Sequence, residues 1–453
     1  MQACFGWGLK RSSSWAPTVP DRWFWVDETG MVLSSPRRFA AILFTFVACS
    51  TLGACVGRAG AATIQASVAS LEPTTLSLLE SQANAYATTQ GPYASGVWST
   101  SMPGCWACAN GGPATAVSTS YVLSGAKNAS LLTMATDTIN TAIATRQLPN
   151  GGFLGPPGDG QSEPIATYFF GVEFGTVYHL ISRYLDPATR IRWQASLAAA
   201  ANFLVSSGNA IWWANGNINL GYAEFFFLVW KATGDPTYLQ DYNNEWTFLL
   251  APPQSKFPDA GLVIVKAPTR ADGSDGSGYL TETGAGGTGF DPEYTSLQLD
   301  VASRLFLLSG DPRALRLANL EVNMLLPLVN SSMVLTADNG TRHAGSDYQT
   351  GFLSSAFSVL SLFGGRTNLA GDAASEIAAE RKWFSWPQDN PVMRRALGND
   401  IAVQALAESM YSAGDRSLLA KRTKDRGSVK RHKSTRTKLS HHHHGKRRRE
   451  PRA

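Results

Sequence analysis

Two stretches decide the fold: Lys231-Ala-Thr-Gly-Asp-Pro-Thr-Tyr-Leu239 and Leu308-Ser-Gly-Asp-Pro-Arg-Ala-Leu315. In each, a glycine closes one helix in the left-handed conformation, an aspartate caps the next, and a proline fills the first helical position, where no N–H is needed. Each therefore reads as the turn of a helical hairpin. Weaker versions stand at Leu123-Ser-Gly-Ala-Lys127, Tyr184-Leu-Asp-Pro187, Leu362-Phe-Gly-Gly365 and Tyr411-Ser-Ala-Gly-Asp415. The marks recur every 48 to 76 residues, which leaves room for about two helices of ordinary length and their connections. Six helical hairpins follow.

Working outward, the segments between the marks have helical period. After Asp291-Pro292, Leu297, Val301, Leu305 and Leu308 recur on one face. Residues 220–230 are apolar nearly all round, which suits a helix buried on both sides. Strand signals are scarce, Gly261–Val265 being the best. The short turns alternate with long Gly-, Asn- or Trp-rich loops near 91–111, 147–161, 207–217, 251–290, 330–348 and 382–395. Short hairpins make consecutive helices antiparallel. All long loops then gather at one mouth. Six hairpins closed into a ring form an all-α (α/α)6 toroid, with short β-segments expected in the long loops.

Composition bounds the rest. The 453-residue chain has 39 basic and 34 acidic side chains, a formal net charge of +5, but the charge is uneven. Residues 421–453 hold 14 basic side chains, and 1–62 hold six. The body, 63–420, keeps 19 basic against 29 acidic, a net of −10, which argues against nucleic acid as a partner. Arg37 and Arg38 precede an uncharged run to Gly57 and then Ala59-Gly60-Ala61-Ala62, the pattern of a secretory signal over 31–62. Leu52-Gly53-Ala54-Cys55 also fits a lipoprotein signal, and the run is just long enough for an uncleaved anchor. The expected organisation is an export segment at 1–62, one toroid domain at 63–420 and a disordered basic tail at 421–453. The body is expected outside the cytoplasm, secreted or at the cell surface, touching membrane only through that segment. Cys105 and Cys108, the two cysteines beyond it, read as a small local disulfide of an oxidising compartment.

The mouth loops carry Trp212-Trp213-Ala-Asn215-Gly-Asn217, Asp272-Gly273-Ser274 with Asp291-Pro-Glu293-Tyr294, and Gly340-Thr-Arg342-His343. With the helical pattern of about 75–420, these make the chain resemble toroidal carbohydrate-active enzymes of the polysaccharide lyase type, which act on chondroitin, hyaluronan and alginate. The Gln-His that such lyases carry after Asp-Gly-Ser is replaced here by Asp275-Gly-Ser-Gly-Tyr279-Leu-Thr-Glu282, so the base stays open between Tyr294 and His343. The resemblance implies β-elimination on a uronate-containing, acidic polysaccharide, with no cofactor. Such a reaction removes a weakly acidic proton beside a carboxylate, which must be neutralised. Arg342 and Asn217 suit that task, and Tyr294 or His343 suits the proton transfer.

Trp212, Trp213, Asn215, Tyr279, Glu282 and Glu293 are the expected substrate contacts, the aromatics by stacking on sugar rings. Each has a duller explanation: asparagines favour caps, loop tryptophans pack on helix ends, and Arg342 has excess carboxylates to pair with. Two rival functions share the ring. An inverting glycoside hydrolase would use paired carboxylates from Asp159, Glu163, Glu282, Asp291 and Glu293. A non-catalytic glycan-binding surface protein would use the aromatics alone. No His-x-His or His-Glu-x-x-His cluster suggests a metal, and the Asp272-Gly-Ser-Asp275-Gly run lacks the full calcium-loop spacing.

Overall fold

The computed structural model describes residues 75–81, 106–155, 164–207, 215–253, 261–284, 286–336, 340–342, 349–350, 353–384 and 391–413. Helix α1 covers 75–81. It is followed by α2 (Trp106–Leu123), α3 (Ala129–Thr145), α4 (Pro164–Ile181), α5 (Pro187–Ser206), α6 (Gly216–Thr233) and α7 (Pro236–Leu250). After an irregular stretch come α8 (Pro292–Ser309), α9 (Pro312–Leu325), α10 (Ser354–Leu362), α11 (Ala370–Phe384) and α12 (Pro391–Ser412).

The hairpin turns form as their residues dictate. Gly234 and Gly310 adopt φ of +78° and +69°, which a side chain would resist, and their N–H groups bond back to Trp230 and Phe306. Asp235 and Asp311 cap the next helices through the N–H groups of Thr237 at 2.9 Å and Arg313 at 2.8 Å. Asp186 caps α5 in the same way.

The even-numbered helices close a ring. From α2 to α12 each packs on the next, and α12 returns to α2. The odd-numbered α3, α5, α7, α9 and α11 lie outside, each against the helix that precedes it. The chain is an all-α toroid. Its inner helices are buried on both faces, as α6 shows: every residue from Gly216 to Val229 is buried. Aromatic side chains join the layers, with Phe174 of α4 set edge-on to the fully buried Trp193 of α5 at 5.4 Å between ring centroids.

Charged side chains meet between the inner helices. The Arg304 guanidinium of α8 donates two bonds to Glu224 of α6, at 2.6 and 2.7 Å, and one to Asp300 at 2.7 Å. Asp300 accepts from the Ser355 hydroxyl of α10 at 2.8 Å. Glu173 of α4 accepts from the Thr115 hydroxyl of α2. The network thus reaches most of the ring.

Helix α10 is short and has no capping side chain of its own. Asp400 of α12 caps it from outside, accepting from the Ser354 hydroxyl at 2.5 Å and the Ser355 N–H at 3.1 Å. Asp400→Ala should therefore cost about 1–2 kcal/mol, read from the denaturant midpoint. No measurable loss would show that water replaces the cap.

Two details depart from the sequence expectation. Helix α2 starts at Trp106 inside the anticipated loop and continues through Pro113, because it is wedged between α12 and α4. Gly111 makes that fit possible: a Cβ there would stand 2.8 Å from the Glu173 Cβ. Along α8, Leu297 is 40% exposed while Gln298, Leu299, Ala302 and Leu305 are buried. Leu305 and Leu308 of the expected stripe are buried and Val301 packs on the core, so the stripe holds except at Leu297. Residues 1–62, Cys105, Trp212, Trp213, His343 and the 421–453 tail lie outside the described residues, and with Cys105 so does the expected disulfide to Cys108.

Candidate active site at the mouth of the ring

The long connections into α6, α8 and α10 meet at one end of the ring. A Cβ on Gly216, the first residue of α6, would lie 2.3 Å from Leu280 and 3.1 Å from the Gln298 amide of α8. Only glycine permits that approach. The loop between α7 and α8 forms two hairpins: β1 (Leu262–Lys266) with β2 (Ser277–Leu280), and β3 (Glu282–Gly284) with β4 (Gly287–Gly289). β1–β2 lies on α9, whose Asn319 and Asn323 amides hold the carbonyls of Asp272, Ser274 and Gly276. The chain leaving β2 is thereby directed into the mouth, and Glu282 comes with it.

Glu282 is the hub. Its Oε1 accepts the Asn217 backbone N–H at 2.8 Å and the Gln298 amide at 2.7 Å, and its Oε2 accepts the Asn215 amide at 2.8 Å. The Arg342 guanidinium stands 3.8 Å from Oε2. The side chain has no exposed surface. Burial raises its carboxyl to about 7, against the pull of the Asn217 N–H, Arg342 and the two amides. Asn215 is the N-cap residue of α6, yet its side chain makes no cap bond and reaches Glu282 instead.

Asp291 organises the second half. Its Oδ1 accepts the Tyr294 N–H at 3.0 Å, capping α8, and its Oδ2 accepts the Arg342 N–H at 2.6 Å. The strap at 340–342 is held as well by the Thr341 hydroxyl on the Glu282 carbonyl, at 3.1 Å. Arg342 then lies across the Tyr294 ring, 4.2 Å from its centroid. Burial pushes the Tyr294 phenol well above its usual range, and the guanidinium only partly offsets this. At neutral pH Tyr294 is a proton donor.

Five residues named from the sequence are thus brought together: Asn215, Asn217, Glu282, Tyr294 and Arg342. Two of them differ from the expectation in exposure. Glu282 is sealed behind its partners and does not face solvent, and Asn215 is 5% exposed with its amide committed to Glu282. The Asn217 amide oxygen has no hydrogen-bond partner among the described residues, although its backbone is engaged. Glu293 follows in the first turn of α8, half-buried. Tyr279 pairs with Val263 in the hairpin and packs on Phe290, at 5.2 Å between centroids, taking no part in the Glu282 contacts.

Sequence reasoning missed Asp291 as an organiser of Arg342, and Gln298 and Glu321 altogether. Glu321, from α9, is wholly buried and interacts electrostatically with Glu282. The available signal was the polar residue on an apolar helix face, since such a side chain must find a partner. Among the described residues no group of three or more His, Cys, Asp or Glu is placed to hold a metal ion. Nor is any described helix long and apolar enough to cross a membrane.

No family model matches the chain, and none of the curated proteins matches it. Among solved structures it is similar to that of a D-mannose isomerase, at 11% identity over 68% of this chain and 86% of that one, with a TM-score of 0.45.

Proposed function

We propose that the chain is a carbohydrate-active enzyme that cleaves a uronate-containing polysaccharide by β-elimination at the Asn217–Tyr294–Arg342 mouth. The observation that carries this reading is the Arg342 guanidinium stacked on Tyr294 at the opening of the ring. A guanidinium there neutralises the substrate carboxylate and so acidifies the neighbouring C–H. The Tyr294 phenol, held protonated by burial, suits delivery of a proton to the departing glycosidic oxygen. His343, next to Arg342 in the chain, is then the candidate base.

The test is turnover and product identity on a panel of acidic and neutral polysaccharides. Tyr294→Phe should lower turnover roughly a hundredfold with little change in stability, and products should carry an unsaturated uronate absorbing in the ultraviolet. One feature favours a hydrolase: burial raises the Glu282 carboxyl to about 7, as suits a general acid. Its complete burial weighs against it. Saturated products, with Glu282→Gln inactive and Tyr294→Phe mild, would replace the lyase reading. Binding without any cleavage would leave a glycan-binding protein.

A further inference from the structure

The oxygen of Glu282 that faces Arg342 sits 3.8 Å from the guanidinium, beyond the span of a direct charge-assisted hydrogen bond. The two groups are therefore coupled by charge without being locked together. Arg342 is held by other means: its backbone N–H is fixed on Asp291 and its guanidinium rests on the Tyr294 ring. Glu282 is held by Asn215, Asn217 and Gln298.

We infer that Glu282 is a positioning residue whose own proton sets how strongly Arg342 draws a ligand carboxylate, so that the mouth selects anionic sugars and holds them more tightly in mildly acidic solution. With Glu282 ionised, an arriving carboxylate meets a buried negative charge behind Arg342. With Glu282 protonated, that charge is gone. The surroundings support this assignment. From α9, Glu321 is fully buried and its carboxyl is pushed well above the carboxylate range by that burial, and the charge of Glu282 adds to the shift. From α8, Asp291 is committed to the N–H groups of Tyr294 and Arg342, Glu293 is half-buried in the first turn, and the Tyr294 phenol stays protonated. From α6 and α8, Asn215, Asn217 and Gln298 are neutral.

This inference rests on the mouth being the glycan site, but its test needs no turnover. Calorimetric titration of the full chain would use a glucuronate oligosaccharide and its carboxyl-reduced counterpart, from about pH 5.5 to about pH 8.5. The acidic oligosaccharide should bind roughly tenfold more tightly at the lower end, while the reduced one stays flat. Glu282→Gln should keep the low-pH affinity across the whole range. His343→Gln should preserve the slope, which separates Glu282 from the histidine beside Arg342.

A wild-type slope shared by the reduced oligosaccharide would overturn the inference, even if Glu282→Gln fails to fold. So would a slope lost in His343→Gln but retained in Glu282→Gln. Acid-favoured binding of the uronate with no unsaturated product keeps this assignment and sinks the lyase reading. Unsaturated product with pH-independent affinity does the reverse.

Discussion

Arg304→Ala should lose about 3–5 kcal/mol of stability, enough to threaten folding of a protein of ordinary stability. Arg304 makes two bonds to Glu224, which is fully buried, and one to Asp300 on its own helix. Glu173 sits close enough for Arg304 to hold its carboxyl down against the burial that raises it. Without the guanidinium, carboxyls from α4, α6 and α8 face one another inside the ring. Burying an unpaired charge is the dominant penalty, and it falls on the contact that ties α6 to α8. The measurement is chemical denaturation of wild type, Arg304→Ala, Glu224→Gln and the double variant. The double should recover part of the loss, because Glu224 is no longer left as an unpaired charge, although Asp300 and Glu173 remain. A loss under 1 kcal/mol for Arg304→Ala would mean that water enters the bore and solvates the acids.

The ring could be read from the sequence because its instructions are local. Gly-Asp-Pro at 234–236 and 310–312 specifies a helix end, a cap and a helix start without reference to anything distant. The alternation of short turns and long loops then places the loops together, and the meeting of Asn215, Asn217, Glu282, Tyr294 and Arg342 follows from it. What each residue does there was not local. Glu282 bonds residues 65 and 67 positions away, and whether it faces solvent or protein depends on how β1–β2 docks on α9. Gln298 lies on a helix that is covered on both faces, so its apolar stripe could not single that residue out. The β3–β4 hairpin is another case. Glu282-Thr-Gly and Gly-Thr-Gly289 carry no alternation of apolar and polar side chains, and their pairing is secured from outside by Thr341. Glu224 was the missed clue. A single carboxylate in the run Tyr222-Ala-Glu-Phe-Phe-Phe227 signals a buried polar contact, and the partner that it meets is Arg304.

Thermal stability should peak in mildly acidic solution, near pH 5, and fall by roughly 5–10 °C towards pH 8. The cause is a set of carboxyls whose burial raises their proton affinity in the folded state: Glu282 to about 7, Glu245 and Glu321 well above the ordinary value, and Glu173 and Asp300 in the same direction. Between the ordinary value of 4.5 and about 7, folded Glu282 keeps its proton while the unfolded chain has released it. The folded state then binds more protons, so stability declines as pH rises. The contribution is complete below the ordinary value and lost above about 7, on the order of 3 kcal/mol for Glu282 alone. Glu321 and Glu245 extend the decline to higher pH.

The acid limb has the opposite sign. Asp186 and Asp235 are lowered by the N–H groups that they cap, and Asp275 is lowered to about 2 by Thr269 and Arg270. Their contributions exist above the ordinary aspartate value and disappear as pH falls below it, which places the maximum between the two sets. Glu321→Gln is the decisive variant. A neutral amide of the same size should leave stability near pH 5 almost unchanged and raise it near pH 8, flattening the curve. A wild-type melting temperature that climbs from about pH 5 to about pH 8 would show that these carboxyls ionise freely, and that the interior around Glu321 and Glu245 is wet.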